Sequence, residues 1–191
     1  MTRFKTVAIV AASGAFAALT LAGTSGAAPG GRLRTFGNGE VTTANNAATI
    51  VIDVGEFGGV YQQGKGQAGK LVGEVIFAFT SRGDVAGGAP RFSIPIDDGS
   101  FDPNTDYAFI DAAGCGATVG DNPGGTATLV STQSPTCHVN FHGADYVNWT
   151  TFASANPTFR IAKNIPFIIA DAVPPEHASA TFVVTEIVLN P

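Results

Sequence analysis

Charged side chains are scarce in this chain. They make up 13% of its 191 residues, against roughly 25% in an average protein, and the formal net charge is -5. Apart from two at the extreme N terminus, the basic residues are scattered from Arg32 to Lys163. A nucleic-acid-binding surface needs clustered Lys and Arg, so we exclude nucleic acid as a partner. The weakly acidic balance also disfavours a partner that is itself acidic.

Motifs for nucleotide binding, in the structural context that they require, and motifs for common catalytic centres are missing too. The chain has no G-x-S-x-G, no H-E-x-x-H, no Walker loop and no G-x-G-x-x-G after a predicted strand. After residue 28 no apolar run approaches the roughly 20 residues of a transmembrane helix. These absences favour a non-catalytic protein with no cofactor and with no transmembrane segment in its mature part.

The N-terminal segment has the layout of a secretory signal peptide. Arg3 and Lys5 supply a basic start, residues 7–22 are apolar or small, and residues 25–27 resemble a cleavage site. The apolar core of about 16 residues is shorter than the roughly 20 that a membrane anchor needs. We therefore predict cleavage after Ala27 and a secreted mature protein, either released or associated with the cell envelope.

Only two cysteines are present, Cys115 and Cys137. An oxidising compartment favours their pairing, and neither lies in a C-x-x-C or another metal-ligand spacing. We predict one structural disulfide. Closing a loop of about 22 residues would stabilise the fold by roughly 3 kcal/mol in the chain-entropy model.

The hydrophobic pattern of the mature chain has a period near two, which is typical of β-strands. In residues 48–54, for example, Ile50, Ile52 and Val54 share one face. Runs rich in β-branched and aromatic residues, bounded by Gly, Pro, Asn or Asp, predict about nine strands. These are residues 48–54, 71–80, 90–96, 106–112, 126–131, 137–141, 158–162, 166–172 and 178–189. No helix is predicted after the signal peptide, because Gly and Pro interrupt every candidate.

Many short strands in one domain-sized chain indicate an all-β fold. We expect a single-domain antiparallel β-sandwich of about eight or nine strands, with a closed β-barrel as second choice. The predicted organisation is a signal peptide at 1–27, a flexible lead-in at 28–46 and the sandwich domain at 47–191. The lead-in is either a tether or an early edge strand, and the last strand is expected to be central.

An acidic loop at residues 97–106 is a weak calcium candidate. Asp102, Asn104 and Asp106 alternate as oxygen ligands do at the start of a calcium loop. Tyr107 and Ala113, however, stand where an EF-hand needs its glycine and its bidentate glutamate. An ordinary turn between strands requires the same Asp and Asn residues, so the turn is the favoured interpretation and calcium of another geometry is the alternative.

Two histidines four residues apart, His138 and His142, follow the second cysteine. On a strand they would lie on one face about 13 Å apart, at roughly 3.3 Å per residue, which is too far to share a metal ion. The simpler interpretation is that His138, Asn140 and His142 face solvent. A single histidine acting with a carboxylate from elsewhere is the alternative.

The run from residue 142 to residue 152 combines the only tryptophan with a tyrosine and short polar side chains. Tyr146 and Trp149 would cover the apolar face of a sugar ring, while Asp145 and Asn148 would bind its hydroxyls. The competing interpretation is that Trp149 fills the core between two sheets.

From these residues we expect a secreted, non-catalytic protein that binds an extracellular ligand through a loop cluster. The ligand is a polysaccharide, a component of the cell envelope or a protein. A small secreted hydrolase of the glycosidase type is the first alternative, with Glu74 and Asp53 as candidate cleft carboxylates. A structural or interaction protein of the cell surface, associating through an edge strand, is the second.

Overall fold

Two antiparallel sheets face each other in the computed structural model, which describes residues 32–63, 67–120 and 126–189. The predicted signal peptide lies outside the described residues. The predicted β-sandwich is confirmed, and over the described part of the chain neither sheet closes on itself, so the barrel alternative is not formed. In the same part, no helix has the length and apolar character needed to cross a bilayer.

The larger sheet has eight strands, the smaller has five, and every strand pair is antiparallel. In spatial order the larger sheet contains β1 (Leu33–Gly37), β4 (Gly58–Gln62), β12 (Phe167–Ala170), β6 (Arg91–Asp97), β7 (Tyr107–Asp111), β9 (Val139–Phe141) and β10 (Ala144–Tyr146), with β11 (Arg160–Ile161) paired to β6. The smaller sheet contains β2 (Glu40–Ala44), β3 (Ala47–Asp53), β13 (Ser179–Val188), β5 (Ala78–Gly83) and β8 (Thr128–Ser131). As predicted, the last strand is central.

The hydrophobic core lies between the sheets because each strand turns alternate apolar residues inward. Phe92 from the larger sheet meets Phe79 from the smaller one, with ring centroids 4.7 Å apart, and both rings are fully buried. Ile110 and Val184 extend the same cluster. Full burial of one such side chain stabilises the fold by about 1.5–3 kcal/mol.

The disulfide between Cys115 and Cys137 is confirmed, with an S–S distance of 2.01 Å. It joins the turn after β7 to the residues just before β9, and Cys137 is fully buried against the core. The bond therefore holds two neighbouring strands of the larger sheet together close to the region that the sequence singled out for ligand binding.

One predicted strand, residues 71–80, is wrong in its first half. Residues Val72–Glu74 form a 3-10 turn, and the strand begins only at Ala78. The Glu74 carboxylate accepts the Leu71 backbone N–H at 3.2 Å, which stabilises the turn. After the turn, Val75, Phe77 and Phe79 are buried and alternate with less buried residues. The hydrophobic pattern of a strand therefore starts before the strand itself does.

A helix that the sequence did not predict, α1, spans Trp149–Ala155. Asn148 caps it, because its side-chain oxygen accepts the Thr151 N–H at 2.9 Å. At only two turns, the helix depends on burial of Trp149 and Phe152 for its stability. The absence of helix predicted for this segment is therefore wrong.

Part of the predicted flexible lead-in is ordered into β1 and β2, which form one edge of each sheet. Of the two alternatives for this segment, the edge strand is the one observed. Strand β4 was also missed, because it begins with two glycines. A Cβ atom on Gly59 would lie 2.4 Å from the Phe36 ring and 2.3 Å from the Ile168 carbonyl oxygen, so close packing requires glycine there.

Candidate functional site

The predicted cluster of Asp145, Tyr146, Asn148 and Trp149 is divided between strand β10, which carries the first two, and the start of helix α1, which carries the last two. Successive residues of a strand point to opposite faces, and β10 places Asp145 outside and Tyr146 inside. Asp145 accepts a hydrogen bond from the Asn140 side-chain amide on β9, at 2.8 Å. The Tyr146 ring packs edge-on against Phe152, with centroids 5.2 Å apart.

Trp149 is a core residue. Its side chain belongs to the main cluster, the residue is only 4% exposed, and the indole N–H donates to the Val72 carbonyl oxygen at 2.7 Å. An aromatic platform for a sugar needs an exposed ring face, and Trp149 does not offer one. The predicted role of Trp149 as an exposed anchor is therefore wrong. The competing interpretation, burial in the core, is the one observed.

Asn148 is also occupied by the fold. Its side-chain oxygen accepts from the backbone and the hydroxyl of Thr151, and its amide donates to the Pro135 carbonyl oxygen at 3.1 Å. Asp145 and Tyr146 keep a ligand-binding role as a prediction, but the four residues do not converge on one ligand.

The acidic loop at 97–106 forms a hydrogen-bonded turn. Asp102 accepts from the backbone and the side chain of Asn104, at 2.9 and 3.1 Å. Asp106 accepts from the Asp102 backbone, from the Thr105 hydroxyl and from His142 Nε2. Among the described residues, no three His, Cys, Asp or Glu side chains are grouped as metal ligands. The turn was the favoured interpretation, and calcium of another geometry stays its untested alternative.

His142 pairs with Asp106, a carboxylate from another part of the chain, as in the alternative interpretation of the two histidines. The strand ends at Phe141, and His142 adopts φ +51°, so its ring stacks on Phe141 and its Nε2 lies 2.7 Å from the Asp106 carboxylate. It does not continue the face that carries His138. Hydrogen bonding from the Asp102 backbone lowers the pKa of Asp106, burial opposes this, and His142 lowers the pKa further.

A groove of about 770 Å³ lies beside α1, and among the described residues Glu74 is the only acidic one in its lining. Asp53, the second carboxylate that the sequence suggested, is exposed at the end of β3 in the smaller sheet and does not line this groove. A glycosidase needs two carboxylates about 5 to 9.5 Å apart. The described lining of the groove therefore supplies one of the two carboxylates that this mechanism requires.

The outer face of the larger sheet carries a connected series of aromatic rings, which we call the aromatic strip. It runs through Phe57, Phe36, Phe167, Tyr107 and Phe101, and successive ring centroids are 6.5, 5.3, 5.6 and 6.4 Å apart. Tyr61 joins it beside Phe36, at 6.3 Å. Each neighbouring pair is tilted or edge-on, an arrangement that aromatic pairs favour.

Strand alternation explains how the strip arises. Tyr61, Tyr107 and Phe167 occupy outward positions, and their neighbours Val60, Ala108 and Ile168 are fully buried. The register places Tyr61 beside Phe167, so residues far apart in the sequence meet on one surface. The solvent-exposed face of an antiparallel sheet normally carries polar residues at such positions.

The strip is accessible and apolar. Phe57 is 43% exposed, and the other five rings are half-buried. A concavity of about 250 Å³ opens between Phe36, Tyr61, Ile165 and Phe167. Both described helical segments lie elsewhere, since α1 packs against the 3-10 turn and β10. The sequence did carry a signal for this site: aromatic residues on the face of a strand that should be polar.

Comparison of the chain with protein-family models, with curated proteins and with solved structures finds no match.

Proposed function

We propose that this protein is a secreted, non-catalytic binding module that holds a polysaccharide chain against the aromatic strip. The observation that carries the proposal is the unbroken series of rings on an outer sheet face. Apolar patches on a water-facing surface are uncommon without a binding role. The C–H faces of pyranose rings are apolar, and aromatic side chains bind such faces with little loss of conformational entropy.

The shape of the strip favours an extended ligand. Five rings follow one another in series, each within 6.5 Å of the next, and β1, β12 and β7, which carry three of them, lie in this order across the larger sheet. Several sugar units of one chain could therefore contact them together. A compact metabolite would need an enclosed pocket that buries most of its surface. The concavity between Phe36 and Phe167 is instead shallow and open to solvent, and would hold one sugar unit of a longer chain.

Secretion is part of the proposal and is supported by two independent features. The N-terminal sequence has the layout of a signal peptide. The disulfide between Cys115 and Cys137 is of the structural kind that persists in oxidising compartments. In this location the available partners are polysaccharides, envelope components and other secreted proteins.

The test is depletion binding to insoluble polysaccharides and isolated cell envelopes. A Phe36→Ala, Tyr107→Ala double variant removes two rings that both contact Phe167. We expect at least about a 30-fold loss of affinity, since aromatic anchors in binding sites contribute 2 kcal/mol or more. Phe57→Ala, at the exposed end of the strip, gives a smaller loss and carries little risk to folding.

The matched control is Leu129→Ala. This side chain is 56% exposed on the smaller sheet, so its removal deletes an apolar contact away from the strip and should leave binding unchanged. Circular dichroism establishes that each variant is folded. If the folded double variant binds with the affinity of the wild type, the aromatic strip is not the binding site. If the wild type binds no polysaccharide and no cell envelope, the proposed function is refuted.

A further inference from the structure

A pocket of about 480 Å³ adjoins the aromatic strip. Ile165 lines both this pocket and the apolar concavity of the strip. Asn164, in the wall of the pocket, lies with its side-chain amide 3.4 Å from the hydroxyl of Tyr107 in the strip. The two surfaces are therefore continuous, and a ligand lying along the strip would reach the pocket.

Among the described residues, two cationic side chains and one anionic side chain line this pocket, which we call the cationic pocket. Arg160 uses one guanidinium nitrogen to donate to the Gly69 carbonyl oxygen at 2.7 Å, and both Arg160 and Lys163 are exposed. The ion pairs found among the described residues include neither of them. Asp97 offsets one charge, and its Oδ1 already accepts the Gly99 N–H at 2.9 Å.

A buried acceptor in the same wall lacks a donor. Gln67 is 2% exposed and lines the pocket, and its Oε1 has no hydrogen-bond partner among the described residues. An unpaired buried carbonyl is unfavourable, and nearly all such groups in proteins find a partner. A hydroxyl presented from the pocket, with a small adjustment of the glutamine side chain, would supply that donor.

We infer that the polysaccharide carries acidic sugar units, and that a uronate in the cationic pocket places its carboxylate at Arg160 and Lys163 and a hydroxyl toward Gln67. This inference rests on the proposed function. A uronate has an apolar ring face, one negative charge and several hydroxyl donors. The aromatic strip, the two cationic side chains and Gln67 each match one of these three features. Charge-assisted hydrogen bonds from cationic side chains to a carboxylate are among the stronger polar contacts.

The net negative charge of the chain is compatible with this ligand. Screening limits electrostatic interaction between exposed groups to about 8 Å at physiological salt, so the charges of the cationic pocket decide the contact. The acidic balance of the whole chain disfavours acidic partners in general, and the cationic pocket is a local exception to that balance.

The test compares acidic polysaccharides with their neutral counterparts of the same backbone. Polygalacturonate, alginate and hyaluronate are each measured beside the carboxyl-reduced form by isothermal titration calorimetry at physiological salt. We expect at least one acidic form to bind about tenfold more tightly than its reduced form. An Arg160→Gln, Lys163→Gln double variant should lose this preference and keep the affinity for the reduced form.

Arg82→Gln is the matched control, because Arg82 is exposed on the smaller sheet, away from the pocket. The Arg82→Gln variant should keep the preference for the acidic form. If this variant loses the preference, the attraction is unspecific and the inference is overturned. Equal binding of acidic and reduced forms by the wild type overturns the inference but leaves the polysaccharide function standing. The Phe36→Ala, Tyr107→Ala variant separates the two, since it lowers the affinity for both forms alike.

Discussion

Replacing Trp149 by phenylalanine distinguishes a structural role from a ligand-binding one. The indole N–H is the donor to the buried Val72 carbonyl oxygen, at 2.7 Å. Phenylalanine removes that donor and leaves the acceptor unpaired, which costs about 1–3 kcal/mol. The smaller ring also leaves space beside Phe152, for a further cost of roughly 1 kcal/mol.

We therefore expect Trp149→Phe to lower the free energy of unfolding by about 2–4 kcal/mol. For a domain of this size the melting temperature should fall by roughly 5 to 15 °C. Trp149 is the only tryptophan, so the assay is urea and thermal unfolding followed by circular dichroism rather than by tryptophan fluorescence. Polysaccharide binding by the folded variant should be unchanged.

Val147→Ala is the control, because Val147 is 60% exposed two residues away, and surface substitutions usually change stability by less than about 0.5 kcal/mol. A Trp149→Phe variant as stable as the wild type would refute the structural role. If the Trp149→Phe variant is as stable as the wild type but no longer binds polysaccharide, Trp149 contacts the ligand. That result would contradict the placement of the site on the outer face of the larger sheet.

Two further predictions concern stability. Hydrogen bonding lowers the pKa of Asp106 in the folded state. The ionised Asp106 side chain therefore contributes to the free energy of unfolding above its unfolded-state pKa of about 3.9, and this contribution is lost as the pH falls through the lower pKa of the folded state. The stability difference between wild type and Asp106→Asn, from urea unfolding at several pH values, should therefore be full at neutral pH and shrink in acid, and a constant difference would contradict this. Replacing Cys115 and Cys137 by alanine should cost roughly 3 kcal/mol for the 22-residue separation, and an unchanged urea midpoint would refute it.

Local periodicity was sufficient to predict the fold class. Alternation in β3 places Ile50 and Ile52 in the core, and the same pattern identifies most strands of both sheets. It failed where a local contact competes with it. The 3-10 turn closed by Glu74 and the helix capped by Asn148 both depend on side-chain to backbone hydrogen bonds that leave the hydrophobic pattern unchanged.

The site was harder to predict because it depends on which strands become neighbours. Asp145 and Trp149 are close in sequence, yet strand alternation and the helix place one outside and the other in the core. Phe36 and Phe167 are far apart in sequence, yet their rings meet, since β1 and β12 both pair with β4. The whole chain determines the order of the strands, so no local sequence pattern could predict that these two rings meet.

The order of the strands also constrains when the protein can fold. Both sheets have a strand from the C-terminal end of the chain in their interior: β12 lies between β4 and β6, and β13 lies between β3 and β5. The N-terminal strands therefore have no complete sheet to join until almost all of the chain is available. Non-local pairing of this kind slows folding. A chain exported N terminus first would stay unfolded during its passage and fold after its last strands have emerged.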